Sequence, residues 1–194
     1  MAAAGLVLAA GGGTRFGASP KQLADFHGRP LLDWAVRAQC AVPELERVMV
    51  VLGSHAGEIQ TAVEFGRAET VVCEDWESGQ AWSLRCGVAA LTAGSAVSSV
   101  VVTLGDAPLV TPEVIRLFAG APPRSRALYG GRPGHPVVLG PDEISALRKL
   151  HGDEGARALL RGGPQLEVGH LCSGRDVDTP EDLEEVRDEA RAVI

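Results

Sequence analysis

Short apolar runs recur along the first half of the chain, and each is followed by a polar loop and a segment with helical periodicity. Because these runs do not alternate with polar residues, they are typical of parallel strands that are buried on both faces of a sheet. They predict strands at 6–10, 47–52, 70–73 and 99–104. The segments between them predict helices at about 30–38, 55–65, 80–93 and 112–118. Strand–helix repeats in succession predict an α/β fold with a doubly wound, mostly parallel sheet.

The second half of the chain is less regular. Its apolar runs predict strands at 127–129, 136–139 and 166–168. Its periodicity predicts helices at 143–150, at 154–160 and from Pro180 onwards, with Thr179 at the start of the last one. No internal repeat or low-complexity linker divides the sequence. We therefore expect one domain over residues 1–194.

The composition of the chain limits the kinds of molecule that it is expected to bind. The 194 residues carry a net charge of −7, and no basic stretch interrupts the acidic balance. A surface that binds nucleic acid needs such a stretch to displace counterions, so we expect no nucleic-acid partner, although a few local cations suffice for one small anionic ligand. The four cysteines are widely spaced, without the pairs typical of zinc sites or disulfide frameworks. With no signal-peptide pattern and no run of membrane-spanning length, we expect a cytoplasmic protein that does not associate with membranes.

The first predicted strand leads into a loop with the composition of a phosphate site. Three consecutive glycines are followed by Arg15 and then by Lys21. Glycines allow backbone N–H groups to approach an anion closely. The guanidinium fork and the ammonium supply further donors for a polyphosphate. A glycine-rich turn with two surface cations is the alternative interpretation.

Two common phosphate loops do not fit this segment. The Walker pattern requires Ser or Thr after its lysine, but Gln22 follows Lys21. The dinucleotide pattern G-x-G-x-x-G, begun at Gly11, requires a third glycine where Phe16 stands. The loop therefore belongs to another class of phosphate site.

The loop that contains Gly11, Gly12 and Gly13 is here called the glycine loop. Carboxylates are predicted at the same edge of the sheet. Asp106 comes after the strand 99–104, and the carboxyl ends of parallel strands meet at one edge. A carboxylate that faces bound phosphates requires a cation between them, and Mg²⁺ binds one or two carboxylates together with phosphate oxygens. Asp106 is therefore a candidate Mg²⁺ ligand, or else a turn cap ahead of Pro108. Asp176 and Asp178 are a second source, of which only one can face the site if the segment is extended.

Five motifs occur in order along nearly the whole chain. They are L-A-A-G-G-G-T-R-F-G at 8–17 with Lys21, G-D-A-P-L-V at 105–110, G-H-P at 134–136, G-D-E-G-A-R at 152–157 and D-V-D-T-P-E-D at 176–182. Together they resemble the molybdenum cofactor nucleotidyltransferase family, which has a Rossmann-like, glycosyltransferase-A-like nucleotide-binding fold. The loop has Ala10 where the guanylyltransferase branch usually has glycine, so it is more similar to the cytidylyltransferase branch.

The resemblance implies a nucleotide-binding half over about 1–120 and an acceptor-binding half over about 121–194. It implies that Arg15 and Lys21 hold the triphosphate, that Asp106 binds Mg²⁺ during catalysis, and that Asp178 completes the metal site. The residues that it assigns to the nucleotide are Leu8, Ala9, Ala10, Gly11, Gly12, Gly13, Thr14, Gln22, Gly79 and Ser83. Those that it assigns to the acceptor are Gly134, His135 and Arg157.

Several of these assignments have alternatives. Gln80-Ala81-Trp82 stands where the family has small residues, which leaves base recognition open. Trp76 lines the nucleotide or acceptor side, or else packs as an ordinary core residue. His135 contacts the acceptor or is a structural turn histidine. Arg157 contacts a substrate or pairs with Asp153, four residues earlier on a helix.

The reaction that the resemblance implies is Mg²⁺-dependent nucleotidyl transfer. An acceptor phosphate would attack the α-phosphorus of a nucleoside triphosphate, foremost CTP, and pyrophosphate would leave. The acceptor implied is molybdopterin or the molybdenum cofactor, with a downstream molybdoenzyme or its chaperone as a further partner. The alternatives are another small phosphorylated acceptor, an oxidoreductase on the same scaffold, and a non-catalytic module that delivers the cofactor. Intact Arg15, Lys21 and Asp106 favour catalysis over delivery.

Overall fold

The computed structural model describes residues 2–17, 19–94, 97–149, 152 and 156–191. The strands are β1 (Ala2–Ala9), β2 (Asp25–Phe26), β3 (Arg29–Pro30), β4 (Leu45–Leu52), β5 (Glu69–Val72), β6 (Val97–Leu104), β7 (Arg126–Tyr129), β8 (Arg132–Leu139) and β9 (Gln165–Glu167). The α-helices are α1 (Leu31–Cys40), α2 (Ala56–Ala62), α3 (Gln80–Thr92), α4 (Pro112–Ala119), α5 (Pro141–Ala146) and α6 (Pro180–Arg191). Short 3₁₀ turns lie at Lys21–Leu23, Trp76–Ser78, Leu147–Lys149 and Ala156–Ala158. None of the described helices combines the length and the apolar character that crossing a bilayer requires.

Seven strands form one sheet in the order β5-β4-β1-β6-β8-β7-β9, and β2 pairs with β3 in a separate hairpin. Strand β8 is antiparallel to both of its neighbours, while the other adjacent pairs of the large sheet are parallel. The predicted α/β fold with a mostly parallel sheet is therefore confirmed. The parallel block β5-β4-β1-β6 consists of the strands that the apolar runs of the first half predict.

Strand β1 lies at the centre of the core, and its side chains alternate between two layers of helices. Leu6 belongs to the same packed cluster as Leu84 of α3. Val7 belongs to a second cluster with Leu32 and Val36 of α1. All five side chains are at most 1% exposed, and each buried aliphatic side chain contributes about 1.5–3 kcal/mol. Burial on both faces explains why the strand shows no alternation in the sequence.

The second half departs from the predicted elements at two helices. The helix predicted at 143–150 is instead α5 followed by the 3₁₀ turn Leu147–Lys149, and residue 150 lies outside the described residues. The helix predicted at 154–160 is not α-helical where it is described, because Leu159 and Leu160 donate to carbonyls three residues back rather than four. Residues 153–155 lie outside the described residues, and with them the predicted partner of Arg157, Asp153.

Helix α6 begins where the sequence predicts and fixes the segment before it. The Asp182 N–H donates to Thr179 Oγ1 at 3.1 Å, and the Thr179 N–H donates to Asp182 Oδ2 at 2.8 Å, which is a reciprocal helix cap. Val177 packs in one cluster with Leu183 of α6 and with Phe26 of β2. Because Val177 is anchored in this way, the acidic segment 176–178 is held beside the carboxyl end of β6.

Candidate active site

The glycine loop follows β1, and hydrogen bonds from neighbouring segments to its carbonyl groups fix its shape. Gln22 Nε2 donates to the carbonyl of Ala9 at 3.1 Å and to that of Gly11 at 2.8 Å. The Ser54 N–H, just after β4, donates to the carbonyl of Ala10 at 3.1 Å. Gln22 is 4% exposed, so its amide nitrogen fixes the shape of the loop from within the protein.

Gly13 allows both a sharp turn and the close approach of Lys21. Its φ is +57°, and its carbonyl accepts the Phe16 N–H at 2.8 Å. A Cβ atom at this position would lie 3.3 Å from Lys21 Cγ, so a larger residue would crowd the lysine as well as strain the backbone. The turn carries Arg15 at its tip, where the side chain is 72% exposed.

Lys21 lies beneath the loop and joins three distant parts of the chain. Its Nζ donates to Asp106 Oδ2 at 2.6 Å, to the Val177 carbonyl at 2.8 Å and to Asp178 Oδ1 at 3.1 Å. These three acceptors match the three donors of an ammonium group. The Lys21 and Asp106 side chains are 10% and 22% exposed, so solvent screens their attraction only weakly.

Burial and charge act in opposite directions on this pair. Burial lowers the pKa of the Lys21 ammonium, but attraction and hydrogen bonds from Asp106 and Asp178 together raise it above its ordinary value. Burial raises the pKa of Asp106, and the Lys21 ammonium opposes that effect. Lys21 is therefore protonated at neutral pH, where it is a fixed positive charge and not a base.

The cluster forms the floor of a cavity of about 230 Å³ under the glycine loop, here called the phosphate cleft. Its lining residues are Leu8, Ala9, Gly11, Gly13, Thr14, Arg15, Lys21, Gln22, Gly105, Asp106 and Asp178. The structure thus brings together most of the predicted nucleotide, catalytic and metal residues. Asp106 Oδ1 is buried and has no hydrogen-bond partner among the described residues. A carboxylate oxygen in that situation is suited to bind a metal ion.

The two candidate aspartates before α6 point to different places. Val177 lies between them, is buried, and donates its N–H to the Asp106 carbonyl at 2.9 Å. Asp178 contacts Lys21 and also pairs with Arg15, with 3.0 Å between Oδ2 and Nη2. Asp176 lines a larger neighbouring cavity instead. Of the two residues that the sequence leaves open, the structure places Asp178 beside Lys21.

That larger cavity has a volume of about 600 Å³ and is here called the acceptor cavity. The predicted acceptor residues Gly134, His135 and Arg157 all line it, and Leu8 lines both cavities. Small-molecule sites commonly have volumes of about 300–1,000 Å³. The two cavities are therefore neighbours at the end of β1, and the larger one has the size of a small-molecule site.

A hydrogen bond fixes the backbone of His135, and its imidazole is uncharged at neutral pH. The Tyr129 hydroxyl donates to the His135 carbonyl at 2.6 Å. Burial, assisted by the nearby Arg126 guanidinium, lowers the pKa of His135 to about 4. At neutral pH the imidazole can therefore exchange hydrogen bonds with a ligand but adds no positive charge to the cavity.

We expect His135 to make folding stability depend on pH. Its pKa is about 4 in the folded protein and about 6.5 in the unfolded chain, so the unfolded state binds more protons between these values. The stabilising contribution is complete above about pH 6.5 and is lost as the pH falls towards 4. Urea unfolding of the wild type and His135→Gln should show a free-energy difference that shrinks on acidification. A difference that stays constant would mean that this imidazole is protonated as readily as a free one.

Some predicted nucleotide residues line neither cavity, although all of them are described. They are Ala10, Gly12, Gly79 and Ser83. Gly79 precedes α3 with a φ of +106°, and Ser83 is buried on that helix. Trp82, on the same helix, is 38% exposed, and the Arg85 guanidinium lies 4.0 Å from its ring centroid. These residues shape the surroundings of the loop and do not form its floor.

Trp76 packs against the glycine loop through a glycine that the sequence reasoning did not select. A Cβ atom on Gly53 would lie 2.6 Å from both the Ala10 carbonyl oxygen and Trp76 Cγ. A Cβ atom on Gly12 would lie 3.0 Å from Trp76 Cη2. The only sequence signal for Gly53 is its position directly after a predicted strand.

We expect Gly53→Ala to destabilise the protein by about 1–3 kcal/mol, because the added methyl group must displace the Ala10 carbonyl or the Trp76 ring. Gly57→Ala is the matched control, since a Cβ atom there meets nothing within 4 Å and the residue lies within α2. That change should be neutral or stabilise by about 0.5–1 kcal/mol. Urea unfolding measures both variants, and equal effects would contradict the packing described for Gly53.

Two arginines that the sequence reasoning missed also line the acceptor cavity, Arg126 and Arg161. Arg161 stands four residues after Arg157, and that spacing was an available signal. Arg126 begins β7. No local sequence pattern marks it as a lining residue, because its position depends on how β7 packs beside β8.

Comparisons with known proteins agree with this arrangement. Residues 5–169 match the family model described as the MobA-like NTP transferase domain. Nicotine blue oxidoreductase of Paenarthrobacter nicotinovorans is 34% identical to this chain, over 92% of it and 93% of that protein. The crystal structure of Rv0371c from Mycobacterium tuberculosis H37Rv is similar with a TM-score of 0.83 and 28% identity, over 97% of this chain and 99% of that one. A complex of Rv0371c with manganese gives a TM-score of 0.80 and 26% identity at the same coverage. The chain therefore belongs to the MobA-like NTP transferase family.

Proposed function

We propose that this chain is a Mg²⁺-dependent nucleotidyltransferase that joins a nucleoside triphosphate to a phosphorylated acceptor and releases pyrophosphate. The observation that carries the proposal is the Lys21 ammonium shared between Asp106 and Asp178 at the floor of the phosphate cleft. A cleft lined by a glycine loop, with a buried cation below and carboxylates beside it, suits a metal-bound polyphosphate. Nucleotide binding alone would not require two carboxylates at that place.

The residues of the phosphate cleft would divide the binding of the triphosphate. Backbone N–H groups of the glycine loop would donate to phosphate oxygens. Arg15, at 72% exposure, can fold over the bound phosphates and exchange its contact with Asp178 for them. Lys21 is already positioned by three acceptors and would hold its charge near the reacting phosphate.

The donor atoms in the cleft fit a bound magnesium ion. Asp106 has a buried oxygen without a hydrogen-bond partner among the described residues, and Asp178 presents a second carboxylate to the same ammonium. These two residues would hold Mg²⁺, with phosphate oxygens and water as its other ligands. When bound, the ion would neutralise charge on the phosphates that react and leave. The manganese complex of Rv0371c supports divalent-metal binding by a relative of this fold.

The chemical step needs no protein base. A phosphate oxygen of the acceptor would attack the α-phosphorus in line, forming one P–O bond while the bond to the pyrophosphate oxygen breaks. A phosphate monoester is already ionised near neutral pH, so no proton has to be removed. Lys21 and Arg15 would stabilise the charge that develops on the α-phosphate and on leaving pyrophosphate.

We further propose CTP as the nucleotide and molybdopterin as the acceptor, on the motif resemblance and on the position of Gly134 and His135 in a cavity beside the phosphate cleft. A downstream molybdoenzyme or its chaperone would receive the product, and the reaction would take place in the cytoplasm. Pyrophosphate release should be measured with CTP, GTP, ATP and UTP, with Mg²⁺, and with or without molybdopterin. Release from CTP only when molybdopterin is present supports both assignments. Release with a different phosphorylated acceptor reassigns the acceptor, and no release with any pair contradicts the proposed reaction.

The similarity to a protein named nicotine blue oxidoreductase favours a second candidate, oxidation or reduction of a small heterocycle. That reaction would use NADH or NADPH as the partner that gives or takes the hydride. Absorbance of the reduced nicotinamide in the presence of heterocyclic dyes tests it. A steady change that survives loss of the Asp106 carboxylate would support this candidate over nucleotidyl transfer, because hydride transfer does not depend on the carboxylates of the phosphate cleft.

A further inference from the structure

Three arginines line the acceptor cavity. Arg126 comes from β7, and Arg157 and Arg161 come from the segment that follows residue 155. Within the part of the chain that the structure describes, none of the three makes an ion pair. The carboxylate that shares the cavity, Asp176, is exposed and is likewise unpaired in the described residues.

Arg126 is the member of this set that points most clearly to a ligand. Its Nε atom is buried and has no hydrogen-bond partner among the described residues. It also lies close enough to His135, another lining residue, to act on its charge state. Buried donors in folded proteins are almost always satisfied by protein, by water or by a ligand. The guanidinium is thus held in the wall of a cavity that is large enough for a small molecule, and one of its donors is left unsatisfied by the described residues.

The described lining of the cavity is positively charged. It gathers three arginines against one aspartate, whereas the whole chain has a net charge of −7. His135, which also lines the cavity, is neutral at physiological pH. Arginine forks bind carboxylate and phosphate oxygens in pairs and select them over neutral groups. The local charge therefore favours an oxyanion.

The sheet order keeps this charge away from the phosphate cleft. Strand β8 lies between β6 and β7, and neighbouring strands are about 4.8 Å apart, so the β7 backbone is roughly 10 Å from that of β6. Asp106 follows β6 directly, whereas Arg126 begins β7 and is paired with Val137 of β8. Val137 of β8 pairs with both Arg126 and Val102 of β6, and these two valines also line the cavity. An oxyanion bound at Arg126 is thus separated from the phosphate that reacts beside Asp106.

We propose that Arg126, Arg157 and Arg161 form an oxyanion subsite, so that the acceptor carries a carboxylate or phosphate group in addition to the phosphate that reacts. This inference rests on the proposed nucleotidyl transfer and departs from molybdopterin as the acceptor, because molybdopterin has one phosphate and no carboxylate. It describes a molecule with an anionic group at each end and an apolar or flat body between them. The second group sets the orientation of the acceptor and leaves its reacting phosphate directed towards the phosphate cleft.

The test compares two fluorescent probes that differ only in the anion, pterin-6-carboxylate and pterin. Both are titrated into the full chain without nucleotide or metal, and inorganic phosphate is then added as a competitor. We expect the carboxylate to bind at least about 10-fold more tightly, with Arg126→Met and Arg161→Met each reducing its affinity by about 10-fold or more. Arg132→Met is the matched control, because Arg132 is an exposed arginine of β8 that lines neither cavity.

Each result decides the inference without reference to turnover. Competition by inorganic phosphate shows that the subsite takes phosphate as well as carboxylate, and its absence restricts the subsite to carboxylates. Equal affinity of the two pterins, no saturable binding of the carboxylate, or an equal loss in Arg132→Met overturns the inference. Because no nucleotide is present, selective binding that persists while pyrophosphate release fails means that the proposed reaction is wrong and the subsite stands. Pyrophosphate release without selective binding of pterin-6-carboxylate means that the subsite is wrong and the proposed reaction stands.

Discussion

Replacing Asp106 by asparagine should lower kcat/KM for nucleotidyl transfer by a factor on the order of 10³, because one change removes both the proposed metal ligand and the main partner of Lys21. The amide keeps the shape of the side chain but has no negative charge and only one acceptor oxygen. The Lys21 ammonium retains its contacts with the Val177 carbonyl and Asp178, so the cleft should stay folded. The loss should therefore appear in catalysis and in metal binding before it appears in stability.

The control for this change is Asp142→Asn, which removes a carboxylate from an exposed position on α5. Steady-state kinetics at several Mg²⁺ concentrations, with melting temperatures for all three proteins, separate a folding defect from a catalytic one. Asp142→Asn should keep wild-type turnover. An Asp106→Asn protein that retains turnover within a few-fold, at an unchanged Mg²⁺ requirement, would remove Asp106 from the metal site.

Replacing Lys21 by methionine should lower kcat by about 10²–10³ while changing nucleotide affinity by less than about 10-fold. In the proposed reaction the Lys21 charge would act most strongly on the transition state, whereas the glycine-loop N–H groups and Arg15 would provide much of the ground-state binding. Methionine preserves the unbranched apolar stem of the lysine. That stem packs against Gly13, where an added Cβ atom would lie 3.3 Å from Lys21 Cγ. An unchanged kcat would eliminate this role for the lysine.

The same variant gives a second readout that does not involve turnover. In the absence of substrate the Lys21 ammonium occupies the position between Asp106 and Asp178, at 2.6 and 3.1 Å from their oxygens. Removing it leaves two carboxylates without their cation, and the Asp106 side chain is only 22% exposed. We therefore expect Lys21→Met to bind Mn²⁺ alone more tightly than the wild type does and to be destabilised in metal-free buffer, by up to about 3–5 kcal/mol. Calorimetric titration with Mn²⁺ and thermal unfolding with and without it measure both effects.

The sequence predicted most of the fold because the relevant signals were local. Continuous apolar runs marked β1, β4, β5 and β6, of which β1, β4 and β6 are largely buried while the edge strand β5 is not. Capping residues marked α4 and α6. The segment 154–160 misled the prediction, since its helical spacing coexists with hydrogen bonds of the 3₁₀ type. Periodicity cannot distinguish a short 3₁₀ turn from the first turn of an α-helix.

The candidate site was predictable where side chains follow strand ends and was not predictable where they depend on packing. Lys21 and Asp106 could be paired from their positions after β1 and β6. The sequence could not decide between Asp176 and Asp178, because the choice depends on how Val177 is anchored. Val177 packs against α6 and against the β2–β3 hairpin, and the hairpin lies more than 140 residues earlier in the chain. Arg126 had no signal at all, since its role follows from the antiparallel insertion of β8 between β6 and β7.

The most direct measurement of the central claim is phosphorus NMR of the full chain with CTP and molybdopterin, before and after addition of Mg²⁺. We expect the three CTP resonances to decrease together on Mg²⁺ addition, while inorganic pyrophosphate and a pyrophosphate diester appear in equal amounts. Asp106→Asn under the same conditions should leave the CTP resonances unchanged over the same period. Unchanged CTP resonances with the folded wild type, or pyrophosphate appearing with free CMP and no diester, would contradict nucleotidyl transfer to this acceptor.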